Sequence, residues 1–382
     1  MQGRTHTCFP PPPLAHRGRG GEGESKVLIM SPHTDNLDHS LLLEDLIHQA
    51  ELDVDPARET GGPLTRRGPL CYNDAMQPTD QMPYCSLNAF LRSRFGGKVV
   101  RVPLNLHRPC PNRQGGLPGC AFCLPESYEP QADWTQGSIA EQLECGMAKA
   151  RSTSGARKFI AYLQSGSNTA GPVAELEAAY TVALQPAEVV ALSIATRPDC
   201  LPDDVLDLLG RLAHSHEVWV ELGVQTVHDR TLELMGRRHT AVCSIEAVKK
   251  LCATGVQQIV LHMILGLPGE SETDIHESFR VFSGLAEPAR LGFKLHHLQV
   301  VRDTPLEQWW RDGRVKVYSF EEYARLVVDV LERVPAGIPI HRLFGSVPAR
   351  YLCVPIWPGT KAAQRSRIQA EFAVRGTWQG KN

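Results

Sequence analysis

The sequence predicts an α/β fold: a partial (β/α)6 TIM-like barrel with a disordered N-terminal extension and a small C-terminal α/β extension. Three observations carry this. From Lys98 onward, apolar β-branched runs alternate with segments of helical period, the pattern of βα units around a parallel sheet. Six such runs occur, fewer than the eight that close a barrel. The 382 residues also suffice for one barrel domain with flanking pieces.

Residues 1–70 are rich in Pro, Gly, His and charge, with Pro10 to Pro13 and Gly18 to Gly23 as low-complexity runs and one amphipathic stretch at Leu41 to Leu52. They are expected to be largely disordered. The barrel is expected over 84–305, with strands at Lys98 to Leu106, Lys158 to Leu163, Val189 to Ala195, Val218 to Val224, Gln258 to Leu265 and Phe293 to Val301. Helices are expected between them at Ser138 to Arg151, Val173 to Leu184, Asp203 to His214, Thr231 to Met235, Ser244 to Thr254 and Glu272 to Gly284. Ser138 followed by Glu141 has capping-box spacing, and Pro202 sits where a helix start tolerates it. Six parallel strands leave a lateral opening, and the site of such a fold lies at the strands' carboxyl ends. Residues 306–360, with a helix at Phe320 to Arg333 and a strand at Ile338 to Arg342, are expected to cover that opening; 361–382 read as a polar tail.

Composition excludes some classes. A net charge of −2 gives no global case for nucleic-acid or membrane binding. The apolar runs, Gln258 to Leu265 among them, are strand-sized, so no membrane span is expected. No apolar leader segment follows the N-terminus, and eleven cysteines in such a chain point to a reducing cytoplasm, where they serve as ligands or buried thiols.

Cys110, Cys120 and Cys123 lie in one Gly/Pro-rich segment directly after the first strand. Three thiolates leave one metal position open: a 4Fe-4S cluster so held keeps one iron free for a small molecule, while four cysteines would close the site. The alternative is a zinc knuckle with a distant fourth ligand such as His107.

Cys110-Pro-Asn-Arg-Gln-Gly, Gly119-Cys-Ala-Phe-Cys123, Thr196-Arg-Pro-Asp-Cys200, Glu221-Leu-Gly-Val-Gln-Thr226 and Leu265-Gly-Leu-Pro-Gly-Glu270 occur in order. Together they resemble the YhcC-like radical S-adenosylmethionine (SAM) proteins, over roughly Tyr84 to Trp357. More distantly they resemble the catalytic subunit of elongator and the oxygen-independent coproporphyrinogen oxidases. The cysteine spacing C-x9-C-x2-C departs from the superfamily's commoner C-x3-C-x2-C and is similar to elongator's.

The resemblance implies a 4Fe-4S cluster on Cys110, Cys120 and Cys123, whose open iron chelates SAM, and a low-potential electron donor of flavodoxin or ferredoxin type. It implies a 5′-deoxyadenosyl radical that takes hydrogen from substrate. Carried onto this sequence, Phe122 shields the cluster beside the adenine, and the turn Gln164 to Thr169, with Gln164 and Asn168, receives the SAM amino group. Arg237 takes the carboxylate, Gln225 and His262 the ribose, and the turn from Gly266 to Gly269 the adenine; Glu270 is read as a helix cap. Substrate-side candidates are Arg197 with Asp199, Glu221, and His296 with His297 and Gln299. Cys200 reads as a buried thiol.

The stretch containing Arg92, Arg94, Lys98, Arg101, Arg108 and Arg113 has no acidic residue and could receive RNA phosphates or an electron donor. The expectation is therefore a radical SAM enzyme, with tRNA as the first substrate class and protein or metabolite next. The alternative is a non-catalytic, zinc-stabilised RNA-binding or adaptor module.

Overall fold

The computed structural model describes residues 82–129 and 133–382. The N-terminal extension expected over 1–70 lies outside the described residues.

Six parallel strands form in the expected places: β1 Val99–Leu104, β2 Lys158–Leu163, β3 Val189–Thr196, β4 Val218–Gln225, β5 Gln258–Leu265 and β6 Leu291–His297. They pair in sequence order, each with the next. Strand six stops before Val301, because Val300–Val301 (β7) pairs antiparallel with Leu352–Val354 (β9) in a separate small sheet.

The sheet gains a seventh strand. Ile340–Arg342 (β8) pairs parallel with β6, in register Phe293↔Ile340 and Lys294↔Arg342. This corrects the six-strand count: the strand expected in a covering extension is part of the barrel wall. The two edge strands meet through Arg101 on β1 and His341 on β8, whose NH2 and Nδ1 lie 2.7 Å apart, and Ser86, ahead of β1, bridges to Ile340 on β8.

The helices pack outside this sheet. Ser138 caps Ile139–Ser154 and forms the expected capping box with Glu141. Pro202 precedes Asp203–Ser215, whose buried Val205, Leu208 and Leu209 form one apolar stripe. The helix expected from Ser244 begins at Ala241, because the Thr240 hydroxyl accepts from the Cys243 amide and caps it earlier. The cap of Glu272–Ser283 is Ser271 with Asp274; Glu270 instead accepts from the Thr226 hydroxyl at 2.6 Å.

The C-terminal residues also differ from expectation. Residues 361–382 contain the helix Lys361–Arg375, which buries Ile368 and Phe372 and stacks Phe372 near Tyr84 at 6.2 Å. Its apolar positions are sparse among charged ones, which is why composition read as a tail. Gln379 continues the anchoring, donating to the carbonyls of Pro335 and Ile338 at 2.8 Å.

Candidate active site

The cysteine loop leaves β1 at the carboxyl end of the sheet and is tied down from both sides. The Ala121 amide donates to the Met235 carbonyl, and the Leu306 amide to the Ala121 carbonyl, each at 3.0 Å. Gly119 is left-handed (φ 84°), and a Cβ there would fall 2.7 Å from the Arg113 side chain, whose NH2 donates to the Cys123 carbonyl. Glycine is required at that point.

All three thiols face one cavity of about 550 Å³, a size common for small-molecule sites. Donors converge on the sulfurs. Arg237 NH1 and Asn112 Nδ2 each donate to Cys120 Sγ at 3.3 Å, and Ser167 Oγ to Cys110 Sγ at 3.8 Å. Burial pushes the Cys120 thiol up, but the Arg237 charge and these bonds outweigh it and hold it below its ordinary value. Burial with the neighbouring Cys120 pushes Cys123 up to about 11.

The tight cluster of potential metal ligands among the described residues is His228, Asp274 and Glu277, away from the cysteine loop. Three thiols on one cavity, with nitrogen donors at the Cys120 sulfur, fit a 4Fe-4S cluster, which takes three cysteines and keeps one iron open.

Most of the other expected residues line the same cavity: Phe122, Gln164, Gln225, Arg237, His262, Arg197 and His296. Gln164 donates its amide to the Tyr128 carbonyl at 3.0 Å, leaving its own carbonyl oxygen as an acceptor. Gln225 ends β4 with φ 71° at a register shift, which turns its amide out of the strand's alternation and into the cavity. Arg197 makes a bidentate pair with Asp199, both contacts at 2.8 Å, and its NH2 also donates to the Arg237 carbonyl at 2.6 Å.

Asn168 and the turn from Gly266 to Gly269 are not among the residues that line the cavity. Asn168 is fully buried away from the cavity, donating to the carbonyls of Leu163 and Ala195 at 3.1 and 2.8 Å. It staples the ends of β2 and β3. The turn from Gly266 to Gly269 also does not line the cavity; Ile264 does, and Gly266 packs against the ring of Tyr318.

Most of the basic stretch is paired within the chain. Arg94 pairs with Glu217 at 2.5 Å, Arg101 with Glu221 at 3.1 Å and Arg108 with Glu175 at 2.6 Å. Lys98 is spent on the Ser154 carbonyl at 2.5 Å and Arg113 on Cys123. Five of the six residues are thus engaged within the chain, while Arg92 and Lys98 are exposed.

A buried polar network lies deeper in the barrel. Glu221 accepts from Lys294 at 2.7 Å, His262 at 2.8 Å, Tyr162 at 3.0 Å and Ser193 at 2.9 Å. Although burial opposes ionisation, Arg101 and Lys294 keep its carboxyl well below the usual range. Burial, then the Lys294 charge, holds His262 down to about 4, so the imidazole is neutral at pH 7. His296 stacks on it at 5.3 Å. Sequence reasoning missed Tyr162, Lys294 and Arg342, all on the cavity wall. The readable trace was Lys294, a lysine alternating with His296 inside an otherwise apolar strand.

The radical SAM superfamily matches residues 105–282, and the radical SAM C-terminal domain matches 291–373. The YtqA protein of Bacillus subtilis is 36% identical over 78% of this chain and 92% of its own length. The YhcC protein of Escherichia coli K12 is 33% identical over 76% of this chain and 94% of its own. Among solved structures, the archaeal Elp3 of Methanocaldococcus infernus superposes with a TM-score of 0.56 at 19% identity, over 74% of this chain and 64% of that one, a likeness of fold. Among the described residues no helix is long and apolar enough to cross a membrane. With the cysteine loop, the seven-stranded parallel sheet and these relatives in agreement, the chain belongs to the radical SAM superfamily of enzymes, alongside YhcC and YtqA.

Proposed function

We propose that Cys110, Cys120 and Cys123 hold a 4Fe-4S cluster and that the cavity beneath binds SAM and the reacting part of a substrate. One observation carries this: the three cysteines line a shared cavity, with donors aimed at the sulfurs of Cys120 and Cys110. Such a cluster, when bound, supplies the electron that splits SAM into methionine and a 5′-deoxyadenosyl radical able to take hydrogen from substrate.

The chain's residues bind and orient. Gln164 offers its carbonyl oxygen to the SAM ammonium group. Arg237, whose Nε has no partner among the described residues, offers that donor to the carboxylate. Arg197 fixes Arg237 by gripping its carbonyl. Gln225, whose side chain has no hydrogen-bond partner among the described residues, suits the ribose hydroxyls, and Phe122 flanks the adenine. Neutral His262 stands with Gln225 on the ribose side, and neutral His296, stacked on it, faces substrate.

The cavity admits a metabolite or a single protruding group of something larger. The tRNA reading rests on resemblance to elongator and on a basic stretch, and the internal pairing of Arg94, Arg101 and Arg108 weakens the second of these supports. Anaerobic reconstitution followed by reduction with SAM tests the proposal. Four irons per chain and release of 5′-deoxyadenosine are expected, with both lost in Cys120→Ala. One tightly bound zinc and no 5′-deoxyadenosine would sink it.

A further inference from the structure

Five arginines line the cavity, and four are committed to the protein. Arg108 is paired with Glu175 and Arg197 with Asp199, while Arg113 donates to the Cys123 carbonyl and Arg237 to Cys120 and the Gly223 carbonyl. Arg342, on β8, is the exception. Among the described residues nothing hydrogen-bonds or ion-pairs with its guanidinium, although it lies within the barrel wall.

A structural arginine in this protein looks different. Arg290, for example, spends NH1 and NH2 on the carbonyls of Cys252 and Val256 at 3.0 and 2.8 Å. A guanidinium has five donors in a planar fork that matches two oxygens of a carboxylate or phosphate. The Arg342 nitrogens are not among the buried polar atoms left without a partner, so they open on the cavity, where a ligand can supply their acceptors.

The surrounding charges favour the same ligand. Two carboxylates line the cavity among the described residues, Glu129 and Glu221; Glu221 is already paired with Arg101 and Lys294, and Arg342 adds a further cation. Glu221 is within ion-pair distance of Arg101 and Lys294 but not of Arg342. Burial keeps His262 and His296 neutral, so they leave that excess of positive charge unchanged. His296 Nε2 and His297 Nδ1 also have no hydrogen-bond partner among the described residues. An oxyanion would satisfy the guanidinium and offset the surplus charge together.

We propose that Arg342, beside Lys294 and His296, is the recognition site for an oxyanion on the substrate, a carboxylate or a phosphate. The proposal rests on the reading of this cavity as the reaction chamber, and it names the substrate class: a molecule, or a protruding group, bearing one of these anions.

The test is calorimetric titration of anaerobically reconstituted enzyme, saturated with SAM, by inorganic phosphate, by acetate and by acetamide as the neutral counterpart of acetate. Phosphate or acetate is expected to bind and acetamide not to, and the tighter anion distinguishes the two sources. Arg342→Gln should weaken that anion at least tenfold, and Arg342→Lys by less, with SAM affinity and melting temperature retained in the lysine variant. Absence of anion binding, equal binding by Arg342→Gln, or binding of acetamide as tight as acetate would overturn the assignment. The readout is binding, so the two proposals can fail separately. Anion binding without any 5′-deoxyadenosine under reduction counts against the radical reading and leaves Arg342 in place; the reverse outcome removes only Arg342.

Discussion

Lys294 Nζ lies 2.7 Å from Glu221 Oε2 at the centre of the barrel, with both side chains almost wholly removed from solvent. The pair joins β6 to β4 across β5. A buried carboxylate with this many donors is replaceable only together with them.

Removing the carboxylate alone leaves Arg101 and Lys294 as uncompensated buried charges, so Glu221→Gln should cost about 3–5 kcal/mol. Urea denaturation measures it. Adding Lys294→Met should recover part of the loss, because the two substitutions share one network. Additive costs would show that the pair is not coupled.

Burial, with the guanidiniums of Arg342 and Arg101, outweighs the pull of Glu221 and holds Lys294 down to about 7. In the unfolded chain a lysine keeps its proton up to about pH 10.4. Between those values the unfolded state binds more protons, so this residue's contribution makes stability rise with pH from about 7 to about 10. Denaturation of wild type and Lys294→Met at several pH values should show a steeper rise for wild type across that window. Parallel curves would mean that Lys294 is charged throughout.

Arg237 places a positive charge and an N–H donor 3.3 Å from Cys120 Sγ. Donors and positive charge at the ligating sulfurs favour the reduced cluster. Arg237→Met should therefore shift the reduction potential of the reconstituted cluster to a more negative value, read by a redox titration followed by electron paramagnetic resonance. An unchanged potential would confine Arg237 to binding SAM.

Gly266 has φ 91°, and a Cβ there would fall 2.7 Å from Tyr318 Cε2. Gly266→Ala should cost about 1–3 kcal/mol through overpacking, on top of the left-handed backbone penalty. Thermal denaturation of the purified variant gives the number. A neutral result would show that Tyr318 yields freely.

Phe372 is buried in the C-terminal helix, whereas Val374 is 84% exposed. Phe372→Ala should cost about 3–5 kcal/mol, and Val374→Ala no more than about 0.5 kcal/mol. Similar small effects at both positions would mean that the helix is not docked in solution.

The barrel strands and the cysteine loop were legible because their signals are local: a period within each strand, and a spacing within fourteen residues of sequence from Cys110 to Cys123. What local sequence does not show depends on distant partners. The basic stretch looked free because Glu175, Glu217 and Glu221 lie far along the chain from the arginines they meet. Asn168 read as a ligand because a turn asparagine and a strand-end staple have the same local sequence. Ile338 to Arg342 was recognisable as a strand, but nothing local shows that it pairs with β6. The surface helix at Lys361–Arg375 was hidden because two buried residues, Ile368 and Phe372, anchor an otherwise polar segment.

The joining of β8 to the barrel has a consequence for how such a protein can diversify. The thiols stand on the loop after the first edge strand, and Arg342 stands on the last, a strand of three residues reached after a separate run of chain. The apparatus that would start the reaction and the group proposed to choose its target therefore sit on opposite margins of one sheet. A graft that exchanged the segment around Ile340–Arg342 would hand the same chemistry to a different client while leaving the cysteine loop and its supports untouched.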